Sequence, residues 1–177
     1  MPFGYMGKIG WIDLTEGTLK TEALKEDLAR KYLGGKGLGA YLLYKHLKPH
    51  TMPYAPENLM IFVTGPLTGT TFPAVSRSGV ITRSPMTGTF LDSYSGGFFG
   101  TQLKWAGFDA LVIKGKAKRP CYLKIEDGVI TKISESTHSN PTQALNTMTL
   151  LPGFTNAHCH LELTDIGPLE NKEFVPW

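Results

Sequence analysis

Cysteine is scarce in this sequence. Only two cysteines, Cys121 and Cys159, occur among 177 residues, and they lie far apart along the chain. They form neither a Cys-x-x-Cys pair nor the spacing of a zinc site or of an iron–sulfur cluster. The chain therefore cannot supply by itself the full set of cysteine ligands that a [4Fe–4S] cluster takes.

Runs of basic residues and long apolar runs are also absent. The formal net charge is +3, and the lysines and arginines form no run or stripe, which argues against a nucleic-acid partner. No apolar run approaches the roughly 18 residues of a membrane-spanning helix, and the first residues lack the apolar stretch of a secretory signal. We therefore expect a cytoplasmic protein that binds neither nucleic acid nor membranes.

The most distinctive part of the sequence is Gly65–Gly100, which is dense in glycine, serine and threonine and is called the glycine-rich segment below. It is almost free of acidic residues, and Arg77 and Arg83 are its only cations. Glycines let the backbone approach a ligand closely, and N–H groups at a helix N-terminus carry partial positive charge. Arginine adds a fork of donors that suits phosphate. The composition thus predicts an anion-binding site, with simple turns of a β-rich domain as the alternative.

The glycine-rich segment contains a repeat, because GPLTGT at Gly65–Thr70 returns as SPMTGT at Ser84–Thr89. Each copy is linked to an apolar or β-rich run, which predicts two related, hairpin-like sheet units that face each other. Apolar periodicity predicts further strands on both sides, and Asp127-Gly128 is a strong hairpin signal. The predicted strands are Lys8–Leu14, Thr18–Thr21, Leu59–Val63, Gly79–Arg83, Thr89–Ser93, Ala110–Ile113, Cys121–Glu126 and Val129–Ile133.

Three helices are predicted among these strands. One carries an apolar face from Leu24 to Tyr32, the second covers Gly37–Leu47, and the third covers Phe98–Ala106. The run GGKGLG at Gly34–Gly39 lies between two helices rather than after a strand, so we interpret it as helix packing and capping, not as a dinucleotide-binding loop. The order of elements predicts an α+β fold: a β-rich N-terminal domain with a few helices over residues 1–133, followed by an irregular extension.

The character of the sequence changes after Ile133. Residues 134–148 are polar and irregular, and they are predicted to form a linker. In residues 149–177, which we do not expect to fold as an independent domain, His158 and His160 are two positions apart. An extended backbone would point both imidazoles to one side, as a zinc or iron ligand pair requires. A catalytic zinc normally needs a third protein ligand, which no spacing identifies here.

The motifs of the first two thirds resemble, in order and spacing, the N-terminal domain of aldehyde ferredoxin oxidoreductases, the tungsten or molybdenum pterin enzymes. The resemblance covers about residues 4–126. The motifs that carry it are GKIGWIDLTEG, LARKYLGGKGLGAYLLYKHL, GPLTGT, an arginine followed by a strand, SPMTGT, SGGFFG and LKWAGFDALVIKGKA.

This resemblance implies that the domain forms a saddle that carries half of a bis-pterin metal cofactor. By position, Arg77 would clamp a pterin phosphate, and Tyr94, Ser95, Gly96 and Gly97 would offer backbone groups to the phosphates and to a bridging Mg²⁺. The best-known members have asparagine where this chain has Tyr94. A contact made by the backbone carbonyl would survive this difference, whereas a contact made by the side-chain amide would be lost.

The resemblance also implies a reaction, the oxidation of aldehydes to carboxylic acids with ferredoxin as electron acceptor, whose chemistry belongs to the cofactor. The [4Fe–4S] cluster of the family is bound by cysteines of later domains, so we expect it only in full-length members. We expect this chain to be a fragment of such an enzyme that is inactive alone. A saddle without its covering domains would expose apolar surface, which predicts self-association.

The C-terminal stretch TLLPGFTNAHCHLEL resembles the first metal-binding strand of amidohydrolases. That resemblance implies that His158 and His160 bind a metal ion, with the remaining ligands on later strands. Two alternatives to the oxidoreductase domain follow from it: a fragment of a metal-dependent amidohydrolase or deaminase, and a non-catalytic truncated fusion product.

Overall fold

A mixed six-stranded sheet with the order β2-β1-β6-β3-β4-β5 forms the centre of the molecule. The computed structural model describes residues 3–119, 121–126, 129–135 and 148–150. β1 pairs in parallel with β6, and all other neighbours in this sheet are antiparallel. The strands are β1 (Lys8–Asp13), β2 (Thr18–Ala23), β3 (Met60–Thr64), β4 (Ser78–Arg83), β5 (Phe90–Ser95) and β6 (Ala110–Lys114).

Three helices and a second, three-stranded sheet complete the described fold. The helices are α1 (Glu26–Tyr32), α2 (Gly35–His46) and α3 (Phe98–Trp105). The second sheet has the order β8-β7-β9 and consists of β7 (Cys121–Glu126), β8 (Val129–Glu135) and β9 (Met148–Leu150). The α+β class is confirmed, and each predicted strand is present within about two residues of its predicted ends. None of the described helices is long and apolar enough to cross a membrane.

The central strands are apolar throughout because they are buried on both faces. Ile61 and Val63 of β3 pack in one cluster with Leu38 and Leu42 of α2. Phe62, between them, packs on the other face, where its ring centroid lies 5.4 Å from that of Phe99 in α3. This alternation follows from the pleat of the strand. It places α1 and α2 on one face of the sheet, and α3 and β7 on the other.

The two copies of the repeated hexamer close successive hairpins at opposite ends of β4. Ser78 at the start of β4 pairs with Thr64, and Arg83 at its end pairs with Phe90. The prediction that the two hairpin-like units face each other was therefore wrong, because the hairpins β3-β4 and β4-β5 share β4 and lie side by side in one sheet. The repeat itself is structural: Gly69 and Gly88 both have positive φ, +79° and +67°, which favours glycine.

The packing interpretation of GGKGLG is confirmed for two of its glycines. A Cβ atom on Gly37 would collide with the carbonyl oxygen of Tyr32, and one on Gly39 would collide with the side chain of Ile81 in β4. Glycine at these positions lets α2 lie close to α1 and to the sheet. The linker prediction stays open, since β8 ends at Glu135, β9 starts at Met148 and residues 136–147 lie outside the described part. The hairpin turn at Asp127-Gly128 lies outside it too.

Candidate functional site

The glycine-rich segment converges at one edge of the six-stranded sheet, which we call the glycine-rich edge. β3 and β5 end there, and β4 and β6 begin there, because β3, β4, β5 and β6 are joined by antiparallel pairs. Ser78 of β4 lies opposite Ser95 of β5 in the register. Arg77 precedes Ser78 and Gly96 follows Ser95, so the sheet sets these two predicted site residues beside each other.

Arg77 is the exposed arginine of the glycine-rich segment. Its side chain is exposed and has no hydrogen-bond or ion-pair partner among the residues that the structure describes. Its backbone is fixed, because the Thr68 hydroxyl donates a 3.1 Å hydrogen bond to the Arg77 carbonyl oxygen. Arg83, the other cation of the segment, lies at the opposite end of β4 and donates from Nε to the Gly88 carbonyl oxygen at 2.7 Å. Arg77 thus fits the predicted role, and Arg83 holds a turn.

Gly96 and Gly97 leave open space at the same edge. A Cβ atom built on either residue meets nothing within 4 Å, and Gly97 also has a φ of +87°, which favours glycine. Gly96 has no such conformational need, so neither backbone strain nor packing within the described chain explains its missing side chain. A backbone without side chains suits a ligand that approaches main-chain N–H groups closely. The residues present therefore fit a phosphate-bearing cofactor.

Helices α2 and α3 both begin at the glycine-rich edge. The position of a Cβ atom on Gly34, the N-cap of α2, lies 2.8 Å from the Thr64 carbonyl oxygen, and α3 starts directly after Gly97. Neither helix has an acidic residue in its first turn or a side-chain cap, whereas α1 has Glu26 and Asp27 there. The first turn of α3 therefore leaves its partial positive charge without a carboxylate of its own, whereas Asp92 pairs with Lys36 in the first turn of α2.

Tyr94 turns its side chain toward α2. A Cβ atom on Gly79 would lie 2.9 Å from Cε1 of the ring, and the phenol oxygen lies 3.8 Å from the Cβ position of Gly35. The phenol faces the Lys36 backbone N–H, and the Lys36 ammonium lies 2.7 Å from the Asp92 carboxylate. Burial, together with the negative charge of Asp92, raises the pKa of Tyr94. The ring is thus occupied by protein contacts.

The contact between α2 and Tyr94 was missed in the sequence analysis, in which the Gly34–Gly39 run was assigned only to packing. The signal was present in Lys36, a cation within a glycine run. The contact of Lys36 with β5 depends on long-range packing, which a local sequence pattern does not predict.

A buried ion pair joins the elements that border the glycine-rich edge. The Lys104 ammonium of α3 lies 2.6 Å from the Asp109 carboxylate, which also accepts hydrogen bonds from the backbone N–H groups of Met6 and Gly7 at 3.1 and 2.7 Å. The Asp109 carbonyl oxygen accepts from the Thr64 hydroxyl at 3.1 Å. The pair therefore joins α3, the N-terminal segment and the end of β3, all of which border the site.

Large apolar side chains surround this edge in the described part of the chain, and we call them the apolar rim. The N-terminal segment contacts the loop after β3, since a Cβ atom on Gly4 would lie 2.5 Å from the Pro66 carbonyl oxygen. The Trp105 indole donates a 3.3 Å hydrogen bond to the Gly69 carbonyl oxygen. The rim residues, each at least half exposed, are Phe3, Leu33, Leu67, Phe72, Phe98 and Trp105.

The predicted histidine metal site cannot be placed. His158 and His160 lie outside the described residues. Within the described ranges, no three His, Cys, Asp or Glu side chains are grouped so that they could hold a metal ion.

Comparison with known proteins identifies the family of this chain. The family described as aldehyde ferredoxin oxidoreductase, N-terminal domain, matches residues 9–168. The tungsten-containing aldehyde ferredoxin oxidoreductase of Pyrococcus abyssi is 52% identical over 125 residues, which are 71% of this chain and 21% of that protein. The aliphatic sulfonate oxidoreductase, WOR-like subunit, of Pyrococcus furiosus is 38% identical over 72% of this chain and 21% of that protein.

A solved structure shares the fold. The active site complex BamBC of benzoyl coenzyme A reductase, in complex with 1,5 dienoyl-CoA, superposes with a TM-score of 0.74 and 35% identity, over 78% of this chain and 21% of that chain. This chain thus spans about a fifth of the length of the proteins that it matches. The match to the family model covers most of its residues, and the chain belongs to the aldehyde ferredoxin oxidoreductase family, whose N-terminal domain it carries.

Proposed function

We propose that the glycine-rich edge binds the phosphate groups of a tungsten- or molybdenum-pterin cofactor, and that the chain is the cofactor-facing domain of an oxidoreductase. The observation that carries this proposal is the register of β4 and β5, which sets the exposed Arg77 beside the open backbone of Gly96. Two helix N-termini without acidic residues add partial positive charge at the same place. The tungsten in the relatives' names supports the choice of cofactor.

Each residue has a distinct role in this proposal. The Arg77 guanidinium would hold a phosphate through paired hydrogen bonds. The backbone N–H groups of Gly96 and Gly97 would donate to phosphate oxygens, and the main-chain carbonyls of Tyr94 and Ser95 would offer oxygen ligands to a bridging Mg²⁺. The Tyr94 ring already packs against Gly79 and α2, so only its main chain would serve the ligand.

The reaction of the whole protein is proposed from the relatives alone. The bound pterin and its metal would supply the redox chemistry, oxidation of an aldehyde to a carboxylic acid, and the chain's own residues would bind and orient the cofactor. The relatives' names point to ferredoxin as electron acceptor. A cytoplasmic location stays a prediction from the sequence. Any [4Fe–4S] cluster would be held by sequence other than this chain, which contains two cysteines.

The test is elemental analysis of the full chain, produced with tungstate and molybdate and purified without oxygen. We expect tungsten or molybdenum, with phosphorus, in the wild-type protein, and we expect both to be lost in Arg77→Ala. The matched control is Arg30→Ala, which removes an exposed arginine whose partner is Glu26 on α1. This variant should keep the metal, because α1 contributes no residue to the glycine-rich edge.

Three results would contradict the proposal or replace it. Metal that is equal in all three proteins would mean that Arg77 does not hold the cofactor. Absence of tungsten, molybdenum and phosphorus from the wild type would mean that this chain does not bind the cofactor on its own. Zinc that is retained by the wild type and lost in His158→Ala would instead favour the amidohydrolase alternative.

A further inference from the structure

A cavity of about 220 Å³ lies at the edge of the sheet opposite the glycine-rich edge. β6 ends at Lys114 and β3 begins at Met60 on this side, and β7 covers the sheet face next to them. The cavity is bounded by the sheet, by β7 and by the loop around Tyr54 and Ala55. It is therefore separated from the proposed cofactor site by the length of the strands.

The interior of the cavity is mainly apolar. Leu59, Phe62, Ile113 and Leu123 line it and belong to the buried or partly buried core. Lining residues that are exposed, such as Tyr54, mark the side from which solvent reaches it.

Most polar groups of the lining are already engaged. The Asn58 amide donates to the Pro53 carbonyl oxygen at 2.7 Å and to the Thr82 hydroxyl at 3.1 Å. The Lys114 ammonium lies 3.0 Å from the Asp13 carboxylate. A charged ligand would thus enter an apolar space with no charge left free to pair with it.

The Cys121 thiol is a polar group of the cavity lining that is not engaged in this way. Its residue is only 3% exposed, it lines the cavity, and it has no hydrogen-bond or disulfide partner in the part of the chain that the structure describes. Burial raises the pKa of this thiol, which therefore stays neutral near pH 7 and acts as a small apolar group with a weak S–H donor.

We propose that this cavity is a second binding site, which takes a small, uncharged and mainly apolar molecule against the Cys121 thiol. A cavity of about 150 Å³ lined by apolar side chains can hold benzene, so about 220 Å³ suits a planar molecule the size of indole. A molecule of this kind replaces unfilled space with dispersion contacts and leaves no buried charge unpaired. The site is independent of the proposed pterin function.

The test uses the full chain with Cys159→Ser, so that Cys121 is the sole thiol, and measures its rate of alkylation by N-ethylmaleimide. We expect slow but complete labelling in the folded protein. Indole at about ten times its Kd should slow the labelling about ten-fold, because bound ligand and reagent exclude each other. A negatively charged thiol reagent of similar size should label Cys121 much more slowly than the uncharged one.

Two tryptophan variants in the same background serve as controls. Ala55→Trp places a large side chain in the loop that lines the cavity and should abolish both labelling and indole binding, the latter followed by saturation-transfer NMR on indole. Glu16→Trp adds the same side chain to the exposed β1–β2 turn and should change neither. The proposal is overturned if Cys121 is unreactive until the protein is unfolded, if saturating indole leaves the rate unchanged, or if Ala55→Trp still binds indole.

Discussion

Lys104 and Asp109 form an ion pair of 2.6 Å whose side chains are only 4% and 2% exposed. The pair lies between α3 and the start of β6, and the Asp109 carboxylate also fixes the N-terminal segment through Met6 and Gly7. Taking two charges out of water is costly, so such a pair is stabilising only while both partners are present. Removal of one partner would therefore leave the other charge buried and unpaired, and would destabilise the glycine-rich edge.

Asp109→Asn should lower the free energy of unfolding by about 3–5 kcal/mol, because it leaves the Lys104 ammonium buried without its counter-ion. Urea denaturation followed by circular dichroism measures this change. Glu26→Gln breaks the exposed pair with Arg30, a contact screened by solvent, and should hardly move the urea midpoint. An Asp109→Asn protein as stable as the wild type would show that the pair does not hold the edge together.

Two glycines at this edge should respond differently to substitution. A Cβ atom on Gly100 would lie 3.0 Å from Cβ of Ser78 and 3.2 Å from Cγ2 of Thr68, so Gly100→Val should push α3 from the sheet and cost about 1–3 kcal/mol. Gly96→Val meets open space and should leave the urea midpoint nearly unchanged, yet reduce the tungsten or molybdenum content. Equal metal content in Gly96→Val and wild type would show that Gly96 does not contact the cofactor.

Tyr94→Phe tests whether the tyrosine serves a ligand through its main chain. The variant keeps the ring on Gly79 and loses only the phenol oxygen that faces the Lys36 N–H, so the loss of stability should not exceed about 1 kcal/mol. Metal content should stay at the wild-type level. A large loss of metal in Tyr94→Phe, with the fold intact by circular dichroism, would show that the phenol itself contacts the cofactor.

His46 should make stability depend on pH. Its ring packs edge-on against Trp11 with centroids 4.6 Å apart, although the residue as a whole is exposed. The partial loss of water around the ring, assisted by the charge of Lys45, lowers its pKa below the ordinary 6.5, so the effect on stability should be small. The unfolded chain then binds the proton more readily than the folded one. The neutral His46 ring therefore contributes to the free energy of unfolding. Its contribution is complete above pH 6.5 and is lost as the pH falls through the folded-state pKa.

The measurement for His46 is the urea midpoint between about pH 7.5 and 5.5, a window above the range in which most carboxylates titrate. His46→Gln should flatten the profile. His50→Asn, at an exposed position with a left-handed backbone that asparagine tolerates, is the matched variant that also removes one imidazole. A profile that His46→Gln does not alter would assign the pH dependence to other groups.

The apolar rim should make the isolated chain associate. Six large apolar side chains, each presenting on the order of 100–200 Å² when uncovered, approach the roughly 800 Å² per partner of a stable interface. Light scattering after size exclusion should show mass that rises with concentration, and the double variant Phe72→Ser/Phe98→Ser should reduce this rise. Met86→Ser removes an equally exposed side chain from the turn at the other end of β4 and should not. A monomer at all concentrations would contradict the prediction.

Local sequence patterns were sufficient for most of the secondary structure. The apolar run before Gly65 predicted a strand buried on both faces, which is β3. The glycines of the repeated Pro-x-Thr-Gly turns, Gly69 and Gly88, have positive φ, a feature that the structure adds. The ordered motifs also identified the family, because motif order and spacing are properties of the chain itself.

Only the tertiary structure decided how the site is assembled. Arg77 and Gly96 are neighbours because β4 and β5 pair in one particular register. The glycine run at the start of α2 borders the site because the helix packs on the same face of the sheet as the Tyr94 ring. The Lys104–Asp109 pair gives no local signal, since a lysine and an aspartate near one another in sequence are usually solvated. The sequence by itself determined the helices and strands and the family. Which residues lie close together across the sheet, and which charged side chains are buried, depends on contacts between residues that are distant along the chain.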